Sequence, residues 1–187
     1  MMNKVGDKLP EVTFKTRNRE GSDKTSAGWG GSKELGNFVW KDVTTADLFA
    51  GKRVILFSLP GAFTPTCSTY QLPDFERLAP EFREKGIDEI YCLSVNDSFV
   101  MNKWAQSVVE GGLTNVKVIP DGSGEFTRKM GMLVNKDNLG FGFRSWRYAA
   151  VVNDGVIEKW FEEPGFMDNC PEDPYGESSP QNLMDNL

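Results

Sequence analysis

The run "RVILFSL" at residues 53–59 constrains this chain more than any other stretch, because both of its alternating faces are apolar. Such a strand needs a packed layer on each side, which places it in the middle of a sheet covered by helices. Two more short apolar runs share its character, "EIYCLSV" at residues 89–95 and "VKVIPD" at residues 116–121. Helical patterns separate them. Phe75, Leu78, Ala79 and Phe82 recur at helical spacing before Gly86, and in "SFVMNKWAQSVV" Trp104 and Val108 share a face. A short helix follows in "SGEFTRKMGM", and "YAAVVNDGVIEKWFEE" divides at Asp154-Gly155, a two-residue hairpin turn. Strands joined through helices run parallel, and the closing hairpin adds antiparallel strands. The expected fold is α/β, with a mixed central β-sheet flanked by helices, in one domain over residues 1–187.

Around this frame the pattern weakens. Residues 8–16 suggest an extended segment. Residues 17–45 are polar and Gly-rich, a long surface excursion with a short element near residues 37–41. "TTADLFAGK" suggests a short helix capped at Thr44 or Thr45 and ended by Gly51. From Asp168 onward the chain is polar and Pro-rich, with a closing helix over "SPQNLMDNL".

Charge and composition exclude several functions. Twenty-one basic and twenty-seven acidic side chains give a net charge of -6, which disfavours a nucleic-acid backbone as partner. No run approaches the roughly 20 apolar residues of a membrane span, and "MMNKVGDKLPEVTF" lacks the apolar core of a secretory signal. The three cysteines, Cys67, Cys92 and Cys170, form neither a CxxC pair nor a metal-ligand cluster, so a reducing, cytoplasmic setting is expected. No Gly-rich dinucleotide or phosphate loop follows the first long strand. Histidine is absent, which removes Ser-His-Asp and Cys-His mechanisms. Any cysteine chemistry must draw on backbone dipoles, arginine or lysine.

The break after Leu59 is the candidate site. Pro60 stops sheet pairing, Pro65 restricts Thr64, and Cys67 falls in the first turn of the helix bearing Phe75 and Phe82. Free N–H groups and the helix dipole stabilise an anion there, and a cysteine so placed can ionise below the usual ~8.5. Thr64, three residues earlier, is near enough to contact the sulfur or an incoming oxygen. Position alone leaves a second reading open, in which Cys67 is a small buried hydrophobe and Thr64 a cap.

"PGAFTPTCS" at residues 60–68 closely resembles the peroxidatic motif of the peroxiredoxins, in their peroxiredoxin 5-like branch. "LFSLPGAFTPTCS", "CLSVNDSFVMNKW", "IPDGSGEFTRKMGM" and "RSWRYAAVVNDGVIEKWF" extend the likeness over nearly the whole chain. The resemblance implies a thioredoxin-like fold and a thiol-specific peroxidase reducing hydrogen peroxide and organic hydroperoxides to water and alcohols. Cys67 would be the peroxidatic nucleophile, held open to a small oxidant. Pro60 would shield the site, Thr64 would hydrogen-bond the peroxide, and Arg147 would be the active-site arginine, with Arg144 as its competitor. One departure stands out: many relatives carry a histidine in a segment like "THLP", where this chain has "TYQLP" with Tyr70 and Gln71.

Recycling of the oxidised sulfur is the remaining question. Cys92 lies within an apolar strand and suits inert packing, whereas Cys170 sits in "DNCPEDPYG", a turn-rich segment that suggests exposure and a possible resolving role. The resemblance implies instead a bacterial, glutathione-dependent type, with glutathione and glutaredoxin (alternatively thioredoxin) as reductant. It implies no metal or other cofactor, and a homodimer for which Trp29, Phe38, Trp40, Phe141, Phe143 and Trp146 offer aromatic anchors; packing within the chain is the other use for them. A peroxide-sensing switch that relays oxidation from Cys67 to a partner protein is the alternative function.

Overall fold

The computed structural model describes residues 3–19 and 38–187. Three strands, β3 (Arg53–Ser58), β4 (Glu89–Ser94) and β5 (Val116–Pro120), lie parallel in the order β5-β4-β3. On the other side of β3, β8 (Tyr148–Asn153) pairs antiparallel, and β9 (Val156–Glu162) pairs antiparallel with β8. β1 (Thr13–Arg19) and β2 (Phe38–Thr44) form a separate antiparallel ribbon. The helices are α1 (Thr45–Phe49), α2 (Leu72–Glu84), α3 (Ser98–Ser107), α4 (Glu125–Lys129) and α5 (Pro180–Asp185). This is the α/β arrangement with a mixed central sheet flanked by helices that the alternation of apolar runs predicts, and it is thioredoxin-like, as the resemblance implies. Among the described residues no helix is long and apolar enough to cross a membrane.

Strand β3 divides the core. Val54 and Leu56 face one layer with Tyr91, Leu93, Trp146, Tyr148 and Cys170, while Ile55 and Phe57 face the other with Phe75, Phe82, Cys92, Trp104 and Cys67. That two-residue period is why a strand apolar at every position has to be central. α2 docks on the second layer through Phe75, whose ring stacks on Phe57 at 4.0 Å and 10°.

Local signals behave as their chemistry dictates. Thr44 caps α1 in a reciprocal box with Asp47. Asp154 and Gly155 take φ of 49° and 76°, the left-handed pair that a tight hairpin between twisted strands requires. Near the N-terminus, Lys8 bridges to Val156 on the edge strand β9, and the longer strand begins only at Thr13. The ribbon of β6 (Leu133–Asn135) and β7 (Phe143–Ser145) is a departure from the expected order; three-residue strands are too short for periodicity to reveal.

Candidate active site

Beyond β3 the chain turns through Pro60 to Thr64. Ala62 N–H donates to Asn96 Oδ1 at 2.9 Å, and Ser94 Oγ lies 2.7 Å from the same oxygen, tying the turn to the end of β4. Phe63 sits at φ 65°, a left-handed conformation that strains a bulky residue and is over-represented at functional sites. Thr64 Oγ1 donates to Gly61 C=O at 2.7 Å. Helix then begins at Pro65, which has no N–H to leave unpaired. The first full-turn bond runs from Ser68 N–H to Thr64 C=O at 3.0 Å, so the N–H groups of Thr66 and Cys67 precede the ladder and form its positive end.

Cys67 thus lies in the first turn, as its position after Pro65 suggests, but the helix there is not α. Residues Cys67–Gln71 form a π turn, closed by Leu72 N–H to Cys67 C=O. Pro73 explains it: its ring would crowd the carbonyl four residues back, and widening the turn removes the clash.

Arg147, in the two-residue link between β7 and β8, is 2% exposed and directs its donors at four acceptors. Nη1 approaches Cys67 Sγ at 3.4 Å and also donates to Gln71 Oε1. Nη2 pairs with Asp173 Oδ1 at 2.5 Å, and Nε donates to Pro174 C=O at 3.1 Å. The Tyr175 ring lies 5.7 Å from the guanidinium carbon. Burial works against the charge of Arg147, but Cys67 and Asp173 outweigh it, and its pKa is raised. Burial also acts against the Asp173 carboxylate, yet Arg147 and the Thr66 side chain hold its pKa below the usual value. Pro60 is buried and lines a narrow crevice with Lys136, Trp146, Arg147, Asp173 and Pro174.

Arg144 is held elsewhere. Its Nε donates to Phe141 C=O at 3.0 Å and its Nη1 to Val95 C=O at 3.4 Å. A side chain at Gly61 would come within 2.9 Å of Arg144 Nη1, so this arginine packs on the turn and not on the sulfur.

Several expectations need correction. The sulfur is not open: Cys67 is 0% exposed. Nor is Cys170 exposed. It is 6% exposed, and it belongs to the core layer on the opposite side of the sheet from Cys67. Cys92 is fully buried in the same layer as Cys67; burial pushes its thiol well up, and proximity to Cys67 adds to the effect. All three cysteines are free thiols. Of the aromatic anchors, Trp40 and Phe143 are exposed and Phe141 is half-buried, but Trp146 is core, its Nε1 donating to Glu163 C=O at 2.9 Å. Trp29 and the Phe38 side chain lie outside the described residues.

The turn therefore brings Pro60, Cys67 and Arg147 to one place, with Thr64 one turn earlier. Gln71 and Asp173 join them, neither having been assigned a role from the sequence. For Gln71 a signal existed in "TYQLP", where it faces inward four residues after Cys67. For Asp173 there was none, since a turn-rich segment has no periodicity to follow.

The Redoxin family profile matches residues 4–169. A peroxiredoxin of Rhizobium etli is 66% identical over 176 residues, covering 94% of this chain and 92% of that protein. Among solved structures, the Plasmodium falciparum antioxidant protein, a 1-Cys peroxiredoxin, matches with a TM-score of 0.86 at 33% identity over 97% of this chain and 98% of its own. Reduced Prx3 of Vibrio vulnificus in complex with hydrogen peroxide matches with a TM-score of 0.74 at 30% identity over 100% of each chain. The chain belongs to the peroxiredoxins, within the Redoxin family.

Proposed function

We propose that Cys67 is the peroxidatic nucleophile of this peroxiredoxin, acting on hydrogen peroxide and small organic hydroperoxides, and that an external thiol restores it. Thiol peroxidase activity on peroxides is that of the family. The assignment to Cys67 is carried by one observation, the 3.4 Å approach of the buried Arg147 Nη1 to Cys67 Sγ.

Peroxide cleavage by sulfur is an in-line displacement in which negative charge moves from sulfur to the leaving oxygen, so fixed donors beside that path lower the barrier. Arg147 offers a rigid, permanently charged fork, and the Thr66 and Cys67 N–H groups supply the positive end of a helix. With the Thr64 proton directed at Gly61, its lone pairs are left to accept a hydrogen bond from a bound peroxide. Pro60 closes the site against bulk water.

Glutathione, with glutaredoxin, is the proposed reductant, in keeping with the peroxiredoxin 5-like motifs; thioredoxin is the alternative. Two observations support an external thiol. Cys170 and Cys67 belong to different core layers, whereas a disulfide needs their Cα atoms within about 7 Å. A 33%-identical relative is itself named a 1-Cys peroxiredoxin. A thiol as large as glutathione reaches a fully buried sulfur only if the strained Phe63 turn or the π turn opens. The exposed Trp40 and Phe143 are candidate anchors for a homodimer.

The test is peroxide consumption with glutathione and glutaredoxin. C67S abolishes it while leaving the circular dichroism unchanged; normal turnover in C67S defeats the assignment. Mass spectrometry after one equivalent of peroxide, with no thiol present, finds a sulfenic acid on Cys67. An intrachain Cys67–Cys170 disulfide would overturn the external-thiol route.

A further inference from the structure

Arg147 carries its charge where almost no water reaches it. A buried guanidinium without an anion is costly, so its counter-ions matter throughout a reaction cycle. Gln71 and Pro174 offer it only neutral oxygens. Its possible anions are the Cys67 sulfur and the Asp173 carboxylate. A second cation, Lys136, is 3% exposed, lies 5.5 Å from the Trp146 ring, and lines the same crevice.

The charge on sulfur does not last. A sulfur lone pair bonds to the terminal peroxide oxygen as the O–O bond breaks. Sulfur is oxidised by two electrons and the O–O bond is reduced by two. The terminal OH stays on sulfur as a sulfenic acid, and the other oxygen leaves with the electron pair as alkoxide or hydroxide, takes a proton from solvent, and departs as alcohol or water. Afterwards Cys67 is neutral.

Asp173 remains. It stands near the crown of a loop pinned at both ends. At one end Asn135 N–H donates to Asp168 Oδ1 at 2.8 Å, Asn138 N–H donates to Asn169 Oδ1 at 3.0 Å, and Asn138 Nδ2 donates to Cys170 C=O at 3.2 Å. At the other, the N–H groups of Gly176 and Ser178 both donate to Oε1 of the buried Glu163 at 2.8 Å. Half of the Asp173 side chain still meets solvent, and Arg147 and the Thr66 side chain more than offset what burial costs its charge.

We infer that Asp173 is a positioning residue for the peroxide step: its carboxylate is the standing counter-ion that holds Arg147 in place and aimed at Cys67 while the sulfur's charge leaves with the second oxygen. This rests on Cys67 being the nucleophile. The loop "NCPEDPYG", remote in sequence from both, then forms part of the reaction machinery.

D173N removes the charge and keeps the shape. Its rate constant for oxidation by peroxide falls about 10- to 100-fold, and D173E, which restores the charge one methylene further out, recovers part of the loss. Equal rates in D173N and D173E, or a wild-type rate in D173N, would overturn the proposal. Melting temperatures supply a readout independent of turnover. D173N lowers Tm more in a C67S background, where Arg147 has lost its sulfur partner, than in the wild type. Equal losses in the two backgrounds would overturn it as well. Failure of the underlying reading looks different, because C67S would then still consume peroxide.

Discussion

Cys67 and Gln71 accept hydrogen bonds from the same nitrogen, Nη1 of Arg147. Both acceptors belong to the π turn, so one guanidinium edge is keyed to one turn of backbone. Gln71 is a neutral acceptor that cannot titrate, and it orients Arg147 without cancelling its charge. Holding Gln71 this way carries a cost, because its Nε2 is buried and finds no partner among the described residues.

Removing that key is informative. Q71A frees Nη1 to rotate, and the rate of peroxide oxidation is expected to fall about 10-fold, measured by stopped-flow tryptophan fluorescence. An unchanged rate would mean that Asp173 and Pro174 alone hold the guanidinium.

The two arginines of "RSWRYA" separate cleanly. R147M lowers the second-order rate constant for peroxide by about 10²- to 10³-fold, as expected for loss of a donor aimed at developing charge. R144M removes bonds to two backbone carbonyls of the neighbouring loops and leaves the rate within about 10-fold of wild type. Competition against a second peroxide scavenger measures both. The reverse ranking would transfer the role to Arg144.

Phe75 carries the site on its shoulders, since its stack on Phe57 seats α2, and with it the π turn, against β3. F75A leaves a cavity in a fully buried layer and costs about 3–5 kcal/mol in urea unfolding. A loss under about 1 kcal/mol would mean the layer collapses around the gap.

Glu76 sets an acid limb for stability. Its carboxylate accepts from Thr114 N–H at 2.8 Å, Val116 N–H at 2.7 Å, Asn115 N–H at 3.0 Å and Thr114 Oγ1 at 2.7 Å, stitching α2 to the start of β5. Burial alone would raise its pKa, but these donors prevail and lower it. A depressed folded pKa stabilises the protein above the unfolded carboxyl value of about 4.3 and stops doing so as pH falls through the folded value. Urea midpoints should show E76Q less stable by about 1–2 kcal/mol at pH 7, with the gap closing below pH ~4. A gap that does not change with pH would show the charge to be irrelevant.

The sequence by itself determined what depends on neighbouring residues. The double-faced apolar run at residues 53–59 places β3 in the centre, helical spacing draws α2 and α3, Asp154-Gly155 draws the hairpin, and Pro65 sets Cys67 in a helix's first turn. Each is a backbone preference or a periodicity, and each acts within one or two turns of chain. The tertiary structure decided the rest. Arg144 and Arg147 are the same residue type three positions apart, and only the path from β7 to β8 sets which of them reaches Cys67. Cys170 looks exposed among turn formers, yet hydrogen bonds at both ends of its loop hold it in the core. Asp173 meets Arg147 from 26 residues away. Charge pairing of that kind is set by where distant segments are anchored, which local sequence patterns do not encode.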